Sequence, residues 1–214
     1  MVNQSLTAGI ALPDTRIAAA ATELVLHTTS ETVYHHSRRV YFFGSLIGRL
    51  RGLSVDPELL YVAALFHDVG LAARFHHSGH RFEVDGAHEA RRFLQGYDVP
   101  EDSIRRVWTA IALHTTPGLP EFMEPEVALV AAGVEYAVMG IDFDQIADAD
   151  RTAITKIHPR PDFKRRILEA FIDGTASKPD TTFGTLTADV LDQYVTDFRR
   201  RDFVDAIHQS SWPE

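Results

Sequence analysis

The stretch Ala63-Ala64-Leu65-Phe66-His67-Asp68-Val69-Gly70 decides how this chain is read. An apolar run closes on two adjacent residues of metal-ligating type and then a glycine. Neighbouring side chains on a helix project about 100° apart. His67 and Asp68 therefore cannot share a face, yet both can reach an ion held in a groove between helices. A histidine hydrogen-bonded within the core beside a solvated aspartate would look the same. The pair alone does not decide between the two.

Composition narrows the field. The chain has 214 residues, 45% of them hydrophobic, enough for one domain with a substantial core. Its formal net charge is −9, so there is no electrostatic footprint for nucleic acid. Cysteine is absent, which excludes disulfides and thiolate chemistry. No apolar run approaches the roughly 18 residues of a membrane span. Met1 to Ser5 does not open a secretory leader, and a cytoplasmic location is expected. The eleven histidines stand out.

Working outward, apolar residues recur at helical spacing almost throughout. After a flexible arm over 1–13, one helix is expected from Pro13-Asp14 to His27 and a second from Ser30 or Glu31 to Arg51. Asp56 can cap a third helix, with Pro57 at its first position. That helix runs to about Val69, with Gly70 as its C-terminal cap. Leu71 to Asp85 reads as a polar lid loop carrying His76, His77 and His80. Helices follow from Gly86 or Ala87 to Gln95, Ser103 to Leu113, Glu124-Pro125 to Tyr136 or Met139, and Asp142 to Thr155. The breaker His158-Pro159-Arg160-Pro161 precedes a helix from Asp162 to Phe171. A last helix spans Thr185 or Leu186 to His208, broken near Arg199-Arg200-Arg201. No alternating strand pattern bounded by turn dipeptides is present. The fold class expected is all-α, a helical bundle in a single domain over 1–214.

On these helices the histidines form a pattern. His36 falls in the first turns of the second helix, His67-Asp68 ends the third, His88 opens the helix after the loop, and His114 ends the next. Imidazole and carboxylate ligands suit Zn, Fe, Mn or Co, and a site of two His and one Asp keeps positions open for water and substrate.

These residues carry a resemblance. His36 with His67-Asp68 resembles the HD-domain superfamily of all-α metal-dependent hydrolases. More closely, His36-Ser37-Arg38-Arg39-Val40-Tyr41, Ala64 to Gly70, Arg81-Phe82-Glu83-Val84-Asp85-Gly86-Ala87 and Ala112-Leu113-His114-Thr115 resemble its cyanamide-hydratase-like branch, over about 34–140. The resemblance implies His36, His67 and Asp68 as metal ligands. The superfamily adds a later Asp, but Ala137 stands where the branch would place it. That leaves Glu135, Asp142, Asp144 or water for the position. His88 stands where the branch has a non-ligand. Together with His114 it is similar to two-metal members, the phosphohydrolases and mixed-valent diiron oxygenases. His88 is thus read as a second-metal ligand or a substrate contact, and His114 as ligand or acid/base.

The function expected is a metal-dependent hydrolase or hydratase. It would use metal-activated water on a small, nitrile-like molecule, with zinc as the first expectation and iron the second. Asp68, His114 and His88 are its candidate catalytic residues. Two readings compete: a two-metal enzyme, and a metal-binding helical module without turnover. The partners expected are a small-molecule substrate and a second copy of the chain through the final helix, with no nucleic acid or membrane.

Overall fold

Helix α2 (Glu31–Leu50) is the axis on which the other helices are arranged. Ser30 caps it, accepting from the Val33 amide. The computed structural model describes residues 6–212. Helices α1 (Arg16–Thr28), α3 (Pro57–Phe66), α6 (Pro125–Met139), α7 (Asp148–Ile157) and α8 (Phe163–Thr175) pack against α2, α4 (Phe82–Gln95) and α5 (Glu101–Leu113) pack on each other and on α3, α9 (Leu186–Tyr194) packs on α8, and α10 (Phe203–His208) follows. Among the described residues the only β-pairing is an isolated bridge between Thr7 and Ile10, so the fold is all-α as expected. No helix among them is long and apolar enough to cross a membrane.

Helix α6 runs antiparallel along α2 at very short range, and small residues permit it. A Cβ on Gly44 would stand 2.7 Å from the Leu129 carbonyl oxygen, and one on Gly133 would stand 2.6 Å from that of Val40. In this register Ala137 lies one helical turn beyond Gly133, towards the His36 end of α2, and is buried. The core fills the space between α2, α3, α5 and α6 with Phe42, Leu60, Val62, Leu65, Ile111, Val127 and Leu129.

Several boundaries differ from expectation. Asp56 caps α3 as read, accepting from the amides of Glu58 and Leu59. However, α3 ends at Phe66, and Val69–Leu71 turns as a 3₁₀ helix. Gly70 is therefore not the helix cap. A Cβ there would fall 1.8 Å from the Phe82 carbonyl oxygen, so its role is to let α4 approach. Helix α4 starts at Phe82, a full turn before Gly86, because Phe82 is buried and Glu83 and Asp85 occupy the first turn, where carboxylates suit the helix dipole. Helix α7 starts at Asp148, since Asp142 adopts a left-handed φ of 59° and Phe143–Gln145 form a separate turn. The expected last helix is two, α9 and α10, the latter capped by Asp202. Of the expected arm, residues 1–5 lie outside the described residues. The rest is held to the bundle: Ile10 is buried, Tyr41 donates to the Ala11 carbonyl, and Arg49 donates to that of Gly9.

The loop between α3 and α4 is tied down from the far end of the chain. The Lys178 ammonium lies 2.7 Å from Asp85 Oδ2 and donates to the Phe75 carbonyl at 3.0 Å. Ser177 donates to the His76 carbonyl, and Ser78 donates to the same Asp85 oxygen at 2.6 Å. Fully buried Arg39 fixes the breaker after α7, donating to the carbonyls of His158 and Pro159. That anchorage sets where α8 begins and places the Phe163 ring 5.3 Å from His36.

Candidate metal centre

Two helices end in the same local device. His67 follows the last residue of α3 and His114 the last of α5, and each pairs its Nδ1 with a carbonyl three residues back: Ala64 at 2.8 Å and Ile111 at 2.6 Å. Helix ends leave such carbonyls without amide partners. A ring nitrogen that donates to a carbonyl carries the proton, so Nδ1–H is the tautomer and Nε2 presents a lone pair inward. The sequence thus builds two pre-oriented imidazoles from the helix termini themselves.

They meet at Asp68. His67 Nε2 lies 3.1 Å and His36 Nε2 3.6 Å from Asp68 Oδ2, and His114 Nε2 lies 3.5 Å from Oδ1. The Nε2 atoms of His36 and His67 are 3.2 Å apart. One ligand atom from each of His36, His67 and Asp68 falls within 4.8 Å of the others. All four side chains are buried. Yet both Asp68 oxygens and His36 Nδ1 lack a hydrogen-bond partner. A buried carboxylate with no donor is costly unless a cation compensates it. The donor set therefore fits a divalent ion of the zinc and iron type.

The electrostatics run the same way. Burial pushes the Asp68 carboxyl up, but His67, His114 and His36 outweigh it and hold it well below the carboxylate range. Burial, reinforced by His67, drives His36 well below the ordinary imidazole value, leaving it neutral as a ligand must be. Burial also acts to lower His114, but Asp68 and then Glu83 raise it above its ordinary value.

Glu83 belongs to this group, though from the sequence it stood only in a motif and not among the candidate site residues. It is 1% exposed and accepts hydrogen bonds from Arg81 at 2.7 Å and from the hydroxyl of Thr115, the residue after His114. Burial raises its carboxyl, but Arg81, His114 and Thr115 bring it below the usual value. Starting α4 a turn too late had put His88 in this position. The structure instead sets His88 on the second turn, half-buried, between the rings of His80 at 5.8 Å and Trp108 at 5.9 Å. It does not join the group of His36, His67 and Asp68.

The candidates for the missing acid also lie elsewhere. Glu135 flanks a shallow surface crevice with Arg51 and Asp142, and burial and then Glu121 raise its carboxyl. Asp142 and Asp144 are exposed. None of the three joins the group, which holds three protein ligands among the described residues. Arg38 donates to the Tyr61 hydroxyl. His35 faces His158, with their Nδ1 atoms 3.2 Å apart. His27, His77 and His208 are exposed.

A pocket of about 560 Å³ opens onto Asp68. The α1–α2 junction (Thr28, Thr29, Ser30, Thr32), the loop residues Ala72, Ala73 and His76, and α8 (Arg165, Arg166, Glu169) form its walls. Arg165 and Arg166 lie far along the chain from the motifs and reach this pocket only through the fold.

Comparison with protein families matches residues 33–153, more than half of the chain, to the HD domain. Comparison with curated proteins finds no match.

Proposed function

The chain belongs to the HD-domain family, whose members are in general metal-dependent hydrolases, and on that premise we propose that it is a hydrolase or hydratase acting on a small organic molecule. His36, His67 and Asp68 would hold one divalent ion, zinc first and iron second. The observation that carries this reading is Asp68: a buried carboxylate with three imidazole nitrogens around it and no hydrogen bond to either oxygen. When bound, the ion supplies Lewis acidity and lowers the pKa of a water in its open coordination position.

The protein's own groups do the rest. Ala64 fixes the tautomer of His67, so no reorganisation is needed to present Nε2. His114 faces the same carboxylate from the opposite side and is the group to move a proton at its Nε2. Proton uptake there as water adds to an electrophilic carbon, and delivery to the substrate nitrogen, completes hydration; in hydrolysis the same proton goes to the leaving nitrogen or oxygen as its bond to that carbon breaks. Glu83 supports the cationic form of His114 and, through Thr115, fixes the backbone beside it. Imidazole suits this role because it titrates near working pH. The electrophile is nitrile-like, as the motif resemblance implies. With His88 outside the cluster, the geometry favours one ion over two.

Metal analysis of protein purified without chelators tests the reading. About one equivalent of zinc or iron is expected, lost together with turnover in His67→Ala. Metal retained at full stoichiometry in that variant would overturn the site. A metal-bearing protein inactive on nitriles, amides and esters would favour the non-catalytic module.

A further inference from the structure

The pocket above Asp68 holds more than the motif resemblance asks of it. A nitrile of cyanamide's size would fill a small part of 560 Å³, a volume within the roughly 300–1,000 Å³ of pockets that take drug-sized ligands. Its charges are also unevenly satisfied. Arg165 is paired with Glu169 at 2.5 Å and Asp162 at 3.6 Å. Arg166, half-buried beside it, has no ion-pair partner among the described residues. Its side chain borders both this pocket and the narrow crevice behind it, and Thr32 alone shares that position. The neighbouring hydroxyls are committed: Thr28 donates to the Leu24 carbonyl, Thr29 to that of Val25, and Ser30 caps α2. Thr32 has no such bond among the described residues. Arg166 sits three residues after Phe163, so the two share a face of α8, and Phe163 packs on His36. Arg166 and Asp68 thus line the same pocket.

Resting on the reading above, we infer that the substrate is an organic carboxylate whose charged end is held by Arg166 and the Thr32 hydroxyl, with its reacting carbon directed at Asp68. A guanidinium fork matches a carboxylate in plane and charge. A phosphate dianion fits less well. With Arg165 neutralised by Glu169, one cation remains to set against Asp68 and Asp173 on the same walls. Arg166 is accordingly a binding residue that selects the substrate, and the metal ligands are indifferent to that choice.

Matched probe pairs test this: benzoate against benzamide, and 3-phenylpropionate against its amide, with phenyl phosphate as a third arm. Binding is measured by calorimetry on the full chain, both as purified and after chelation, so that direct metal coordination by the acid is separated from recognition by the protein. At least one acid should bind tighter than its amide in both forms, and Arg166→Gln should weaken that acid at least tenfold while leaving its amide unchanged. Amides binding as well as acids, no binding by either, or an Arg166→Gln protein that keeps its preference would each overturn the inference. Tighter binding of phenyl phosphate would overturn it in favour of a phosphoester. Metal content in the same samples reads the other proposal separately: a wild-type chain that holds its metal but ignores acids sinks this inference alone.

Discussion

Replacing Lys178 by methionine should cost this protein about 3 kcal/mol of stability, near the lower end of what breaking a buried ion pair costs. The two side chains are 4% and 5% exposed, and the nitrogen lies 2.7 Å from Asp85 Oδ2. Without the ammonium, Asp85 keeps only the Ser78 hydroxyl at 2.6 Å and the exposed His80 ring at 3.5 Å. A charge in that position is poorly compensated, and the Phe75 carbonyl loses its donor as well. A loss of about 3 kcal/mol shifts the folding equilibrium by a factor on the order of 100 and lowers the melting temperature by roughly 6–12 °C for a chain of this size. Urea unfolding followed by circular dichroism reads it as a lower midpoint with unchanged slope. Removing both partners, as Lys178→Met with Asp85→Leu, should recover most of the loss, because no uncompensated charge remains. A single variant within about 0.5 kcal/mol of wild type, or a double variant no better than the single, would refute the assignment.

Other expectations follow from the same structure. Gly70→Ala should destabilise by more than about 3 kcal/mol or prevent folding, because the clash is with backbone and no side chain can yield; soluble yield and urea midpoint check it. His158 is pushed down to about 3 by burial and then by Arg38, His35 and Arg39, so its neutral form belongs to the folded state. Its contribution is complete above the unfolded value near 6.5 and is lost as pH falls towards 3, by at most about 5 kcal/mol. His158→Phe should flatten that acid limb in a pH series of urea melts, and an unchanged limb would be the contrary result. His88→Ala should retain wild-type metal stoichiometry by elemental analysis; halved metal content would restore the two-metal reading. Glu83→Gln should lower kcat by roughly 10- to 100-fold with metal content intact, and its pH–rate profile should shift as His114 loses a supporting charge.

What was legible in the sequence was what neighbouring residues decide. Asp56-Pro57 marked the start of α3. His36, His67, Asp68 and His114 were also legible, since helix spacing fixes where each falls relative to a helix end. The start of α4 was not. Arg81-Phe82-Glu83 reads as polar loop, and what makes it helical is tertiary: the Phe82 carbonyl against Gly70 and Glu83 against Thr115, 32 positions on. That one-turn error moved His88 into the site and Glu83 out of it. Lys178 and Arg39 escaped notice for a related reason. Their partners lie 93 and 119 positions away, and no local pattern announces a long side chain that will be buried. Ala137 was noticed as a missing acid, and the structure puts a buried methyl there, with no further acid joining the ligand cluster among the described residues.

The Phe163–Thr175 helix has a consequence of a different kind. Every candidate ligand, and His114 and Glu83 with them, lies within the stretch that matches the family, whereas this helix begins ten residues beyond its end. Reactivity and selectivity are therefore written in separate passages of the chain and meet only in space. One passage can change while the other stays fixed: exchange of the pocket-facing residues of α8, keeping Phe163, offers a route to new substrates without rebuilding the centre that transforms them.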